Sequence, residues 1–359
     1  LKKIPNLDTL RFVAASLVII HHVELYKSFF SLPNCWTIPF FEIIGKLGVV
    51  LFFVLSGFLI TTLLLNEKEK NKKILFKNFY MRRILRIWPV YYLVVFFGFF
   101  VYPNISFFDI PSNIFPAGIE NIPLNIIFYL TIFANLGWAV FGNVPYTSQT
   151  WSLATEEQFY LLWPLVINIF NKRLIIVLLS IILGYYIVKL VLISPYVNLI
   201  PFGGILSNFW STFNINCMAI GGAFSLIIFK KSKLVDFIFN KMIFYPVVIL
   251  TISLLATGCE FGFFHYDIYA VLFGIIISNL AFNPHLSKVL EYKVTNYLGT
   301  ISYGMYMYHF VALTIAIRIG IYVNTSWIIY PMTFLITILI SHISYKYFES
   351  YFLRLKAKF

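Results

Sequence analysis

Within residues 7–25, LDTLRFVAASLVIIHHVEL, His22 follows Arg11 by eleven positions in an otherwise apolar run. On an α-helix that separation turns to within about 20° of the same direction and rises roughly 16 Å, so the two side chains share a face while His21 is turned well away. Histidine titrates near neutrality, which suits His22 to accepting and returning a proton. Ionisable groups deep in an apolar helix face a bundle interior or a wet cavity, where they are candidates for function. The plainer alternative has Arg11 snorkelling to an interface and His22 in an interhelical hydrogen bond.

Other polar residues interrupt apolar runs. Arg83 and Arg86, in RRILR, lie i to i+3 on one helical face, and Arg82 points elsewhere. An inner loop that simply attracts arginines explains all three without a ligand. Glu156 and Glu157 stand near the start of WSLATEEQFYLLWP, where an acid gains from a helix dipole and Trp151 suits an interface belt. His309 follows the hydroxyl-rich SYGMYMY and needs a polar partner: Ser302, Tyr303 or a neighbouring helix. Glu349 closes the last run, where it can pair with Arg83 or Arg86. No metal site is expected, because adjacent histidines diverge on a helix, HExxH is missing, and Cys35, Cys217 and Cys259 form no CxxC pair. Ser56 lacks a GxSxG elbow, so Ser56 and Gly57 read as small residues that let helices approach.

The elements that must hold these groups follow from composition. Of 359 residues, 60% are hydrophobic and 11% charged, with a mean hydropathy of +0.85. Apolar runs of about 18 to 22 residues recur without the alternation of an outer-membrane barrel. The expected fold is an all-α integral membrane protein, a polytopic bundle of about ten transmembrane helices. Spans are expected near 10–30, 43–65, 84–101, 148–170, 174–193, 211–229, 242–258, 266–282, 297–317 and 327–347. The stretch 123–140 is read as re-entrant or interfacial, since both its flanks lack Lys and Arg.

Net charge is +13, yet all but four of the 27 basic residues fall in clusters between spans or at the ends, and none falls in 102–150. The positive-inside rule makes the clusters cytoplasmic, the 102–150 segment external and both termini cytoplasmic, and it removes nucleic acid as a partner. Arg11, His21, His22 and Glu24 interrupt the first run and no small-residue cleavage site follows, so a retained span is expected rather than a signal peptide. A single membrane domain over 1–359 with no additional soluble domain is expected, its natural start a few residues before Leu1.

The arginine, ten residues, then histidine pattern of Arg11 and His22 resembles the first span of the acyltransferase-3 family, bacterial integral membrane O-acyltransferases of surface polysaccharides. The resemblance continues through GVVLFFVLSGFLIT (48–61), RRILRIWPVYY (82–92), WSLATEEQFYLLWP (151–164), ISYGMYMYH (301–309) and YKYFESYFLRLKAK (345–358), where Ser350 stands at a position often held by proline. It implies transfer of an acyl group, usually acetyl, from cytoplasmic acyl-CoA to a sugar hydroxyl of a lipid-linked or surface glycan, in the bacterial inner membrane.

Against that chemistry His22 is the candidate base, deprotonating the hydroxyl directly or first taking the acyl group itself. Coenzyme A carries phosphates that guanidinium forks suit, which assigns Arg83 and Arg86 to the donor, with Arg11 holding the pantetheine arm or a phosphate and helping to orient His22. Glu156 matches the motif acid, placed with Trp151, Ser152 and Gln158 near the outer face to bind sugar hydroxyls or polarise His22. His309, Ser302, Glu349 and Trp151 are read as supporting. The expected partners are acyl-CoA as donor substrate, the saccharide acceptor and membrane lipids, with no permanently bound cofactor. A transporter or flippase of a lipid-linked saccharide is the alternative, with Arg11, His22, Glu156 and His309 as its pathway. A structural subunit would leave those residues without a role.

Overall fold

The computed structural model describes residues 4–111, 122–286 and 288–359; Lys2, Lys3 and residues 112–121 of the expected external loop lie outside them. Among the described residues every regular element is helical. Seven helical stretches among the described residues are long and apolar enough to cross a membrane, against the ten spans expected. The difference has physical sources. One stretch, Thr150–Ile193, runs 44 residues and joins two expected spans, α6 (Thr150–Phe170) and α7 (Leu174–Ile193), through a short 3-10 turn. Of the other helices, α8 (Gly203–Thr212) and α10 (Leu234–Ile238) are short, α11 (Lys241–Thr257) is apolar but only 17 residues long, and α15 (Ile329–Ile343) gives way to a π-helical turn at Ser344–Glu349. The 123–140 stretch forms two short helices, α4 (Ile122–Leu130) and α5 (Ala134–Phe141), neither long enough to cross.

The first two helices organise the rest. Helix α1 (Leu7–Phe29) packs on α2 (Pro39–Asn71), and α2 packs on α9 (Ile215–Phe229) and α12 (His265–Phe282). At the α2–α9 crossing a Cβ on Gly57 would lie 1.9 Å from the Met218 carbonyl oxygen, and one on Gly221 would lie 2.2 Å from that of Val54. The two backbones therefore touch, which only glycine allows at both positions. Side-chain hydrogen bonds add to the contact: Trp163 Nε1 donates to Thr61 Oγ1 at 2.8 Å, and Thr62 and Ser225 pair at 2.7 Å.

The start of α1 is pinned to the segment before α13 (Lys293–Thr300). Asn6, in the left-handed region at φ 63°, donates from Nδ2 to the carbonyls of Leu280 (2.7 Å) and Leu286 (2.9 Å) and accepts from the Leu290 N–H (2.9 Å). Gly299 sits directly on the Asp8 backbone, where a Cβ would be 1.9 Å from the Asp8 oxygen. Helix α14 (Ser302–Tyr322) follows at once and lies along α1. That pairing brings His309 to His22.

Candidate active site

Helix α1 borders two cavities. Arg11 lines one of about 430 Å³, together with Arg83 and Arg86 of α3 (Phe76–Phe96), Glu156 of α6 and Lys356 of the final helix α16 (Ser350–Lys356). His22 lines the other, of about 230 Å³, with Tyr26, Gln149, Trp151 and Asn214. Val49, Phe53 and Tyr306 appear on the walls of both, so the cavities stand back to back across those side chains.

In the histidine cavity, donor and acceptor roles can be followed ring by ring. His309 is fully buried, and its Nδ1 lies 2.6 Å from the Tyr306 carbonyl oxygen. A carbonyl only accepts, so His309 Nδ1 carries a proton. In the neutral ring Nε2 is then an acceptor, and it lies 3.0 Å from His22 Nδ1. His22 therefore donates from Nδ1 and keeps its lone pair on Nε2. The His22 ring is held between His309, stacked with centroids 4.9 Å apart, and Phe310, tilted at 4.6 Å. This is the arrangement a base or nucleophile requires: a fixed ring, a defined tautomer and a free lone pair. His21 also reaches this cavity, but its Nδ1 donates to the Phe41 carbonyl at 2.7 Å and its ring meets Trp36 edge-on.

The basic cavity collects cations from both ends of the chain. Arg11 Nη1 pairs with Asp8 at 2.6 Å. Arg86 donates to the Thr300 carbonyl at 3.0 Å and lies 3.7 Å from Glu349. Among the described residues Arg83 and Lys356 form no ion pair, and the buried Nε of Arg83 has no hydrogen-bond partner. The Arg83 guanidinium rests 5.6 Å from the centroid of the Tyr160 ring. Burial and the neighbouring arginines, Arg83 first, push the Lys356 ammonium down to about 8. Such unspent positive charge suits a phosphate-bearing ligand. Arg82 stays outside, donating to the Phe359 carbonyl and approaching Glu67.

Glu156 departs from its expected place. It accepts from the Ser56 hydroxyl and lines the basic cavity, not the one that holds Trp151 and His22, because α6 carries Trp151 and Glu156 to opposite sides of the Phe53 and Tyr306 partition. The residue that orients His22 is His309. Ser302 does not reach His309; its hydroxyl donates to the Gly299 carbonyl at 2.8 Å, on the basic-cavity wall. Lys356, Tyr306, Tyr26 and Gln149 were not singled out by sequence. Tyr26 alone carried a readable signal there, being one helical turn from His22. No group of three or more His, Cys, Asp or Glu side chains gathers among the described residues.

The model of the acyltransferase domain matches residues 4–346, nearly the whole chain. The chain belongs to the acyltransferase-3 family. Curated relatives of this family include the peptidoglycan O-acetyltransferase OatA of Listeria monocytogenes, 28% identical over 88% of this chain and 50% of its own length. The putative peptidoglycan O-acetyltransferase YrhL of Bacillus subtilis is 26% identical over 96% of this chain and 54% of its own. The O-acetyltransferase OatA of Staphylococcus aureus is 28% identical over 97% and 57%. This acyltransferase-3 chain thus spans about half the length of those relatives. No solved structure matches it significantly.

Proposed function

We propose that this protein moves an acetyl group from acetyl-CoA, bound in the basic cavity, to a hydroxyl of a cell-wall saccharide bound in the histidine cavity. The observation that carries the reading is the partition: one helix delivers Arg11 to the first cavity and His22 to the second, with Val49, Phe53 and Tyr306 between. The bulk of the donor and the acceptor are thereby kept in separate compartments, and only the thioester end of the donor has to pass Phe53 and Tyr306 to reach His22. A flippase would have to move a whole saccharide past the same side chains, where the transferase moves only an acetyl group. The names of the relatives support peptidoglycan or a related glycan, lipid-linked or at the surface, as the acceptor.

The basic cavity faces the cytoplasm of a bacterial inner membrane, where acetyl-CoA is made. Arg11 lies near one end of the chain and Lys356 near the other, yet both line one cavity, which supports both ends on one side and an even number of crossings. Arg83, Arg86 and Arg11 hold the donor phosphates, and the thioester reaches the partition. The sugar oxygen attacks the thioester carbonyl carbon while His22 Nε2 removes its proton. The resulting imidazolium donates from Nδ1 to His309 Nε2, so its charge forms against an acceptor already in place. When the intermediate collapses, the C–S bond breaks and the thiolate of coenzyme A takes the proton from His22.

Sidedness tests this directly. Labelled acetyl-CoA supplied to inside-out membrane vesicles is expected to label glycan, and the same donor outside sealed right-side-out vesicles is not. Equal labelling from both sides contradicts the assignment of the basic cavity to the cytoplasm.

A further inference from the structure

Acyl transfer passes through a tetrahedral intermediate whose carbonyl oxygen becomes an anion, and the reaction needs a hydrogen-bond donor aimed at that oxygen. Two side chains that line the histidine cavity carry a buried polar atom without a partner: the Tyr26 hydroxyl and Gln149 Oε1. The residues are 1% and 3% exposed. Their chemistry separates them. The Gln149 amide spends its N–H groups on the carbonyls of Tyr146 (3.0 Å) and Met307 (2.7 Å), so its unpartnered oxygen can only accept. His22 Nε2 also only accepts. The Tyr306 hydroxyl is engaged by Ser152 Oγ at 2.6 Å and the Gln149 carbonyl at 2.9 Å. Tyr26 is the one of the two unpartnered groups that can donate.

Its place fits. Tyr26 follows His22 by four residues, hence lies on the same face of α1 one turn on. Both rings rest on Phe310, with centroids at 4.6 Å for His22 and 5.3 Å for Tyr26. Leaving a buried hydroxyl without a partner is unfavourable, so a group that supplies its partner during turnover gives it a reason to be there.

We propose that the Tyr26 hydroxyl donates the hydrogen bond that stabilises the oxyanion of the transferring acetyl group beside His22. The assignment rests on the acetyl-transfer reading above. As the new C–O bond forms, the carbonyl π pair moves onto oxygen, where Tyr26 donates; collapse restores the C=O bond and expels the thiolate. Tyr26 keeps its own proton throughout, and the sugar proton travels by way of His22.

Tyr26→Phe removes only the hydroxyl and keeps the ring contacts with Phe29 and Phe310. Acetyl transfer from labelled acetyl-CoA to glycan in inside-out vesicles is compared for wild type and variant, normalised to folded protein. The expected result is a kcat lower on the order of 10²-fold, with KM for acetyl-CoA within about twofold and thermal stability unchanged or raised. A variant with wild-type kcat, or one that changes KM alone, overturns the assignment. So does loss of folded protein, which would show that the hydroxyl serves the fold. Failure of the wild type itself to transfer label overturns the acetyl-transfer reading instead, which keeps the two failures apart.

Discussion

His22 Nδ1 lies 3.0 Å from His309 Nε2, and His309 donates its one N–H, on Nδ1, to the Tyr306 carbonyl at 2.6 Å. The carbonyl at the far end fixes the direction of both hydrogen bonds, so α14 decides which nitrogen of the α1 histidine keeps its lone pair. In the proposed mechanism His309 acts through His22, as a positioning residue. His309→Leu leaves His22 Nδ1 without this acceptor and is expected to lower kcat on the order of 10²-fold, with KM for acetyl-CoA little changed. His309→Gln, whose amide oxygen can accept from His22, is expected to retain more activity than His309→Leu. Equal loss in both variants, measured at matched abundance, would show that the hydrogen bond is not what matters.

The basic cavity should be read out in donor affinity. Arg83→Gln removes a guanidinium with no ion pair among the described residues, and it is expected to raise KM for acetyl-CoA about ten- to a hundredfold. Arg83→Lys should recover only part of that loss, because a point charge does not reproduce the planar fork. The effect should shrink as salt is raised. Steady-state kinetics at two ionic strengths checks all three expectations.

If the basic cavity holds the donor as proposed, Lys356 should give its binding a pH limit. Its ammonium is lowered to about 8 by burial and by the arginines beside it, so it is charged below that pH and neutral above it. Phosphate binding favours the charged form. Affinity for acetyl-CoA is therefore expected to weaken as pH rises through about 8, with a proton taken up on binding above that value. Lys356→Arg, which stays charged, should flatten the profile between pH 7.5 and 9, which are roughly the limits set by a single titrating group. Isothermal titration calorimetry in buffers of different ionisation enthalpy measures the proton uptake.

The partition makes a claim about coupling. Phe53 is 1% exposed and lines both cavities. Phe53→Ala is expected to join them, admitting water to the thioester and raising acceptor-independent release of coenzyme A severalfold, at a stability cost of about 3 to 5 kcal/mol. Release of coenzyme A that stays matched to glycan labelling would contradict the separating role.

The α2–α9 crossing should tolerate no side chain. Gly57→Leu must push the Met218 carbonyl aside and is expected to cost about 3 kcal/mol or more, visible as a lower thermal midpoint in detergent. Gly184, with open space around its Cβ position, supplies the control: Gly184→Ala should be neutral or slightly stabilising.

That Arg11 and His22 share one helix face, and Arg83 and Arg86 another, was legible because helical spacing is a property of the chain itself; the roles assigned to them came from the family resemblance. The small-residue reading of Gly57 was legible for the same reason. What sequence could not assign was the partner. Glu156 and Trp151 are five residues apart on one helix, and only the packing of Phe53 and Tyr306 puts them in different cavities. Lys356 belongs to a terminal basic cluster that charge alone reads as topology, and its place beside Arg83 depends on α16 folding back onto α3. The expected count of ten spans came from hydropathy, which does not distinguish a helix that crosses from one that is a few residues short.

The most direct test of the central claim compares wild type with an equally abundant His22→Ala variant in inside-out vesicles supplied with labelled acetyl-CoA. Transfer of label to glycan by wild type, and its loss on the order of 10³-fold in the variant with donor binding retained, is the expected result. Labelling of glycan at the same rate by both would contradict it, removing His22 from the chemistry and with it the assignment of the second cavity.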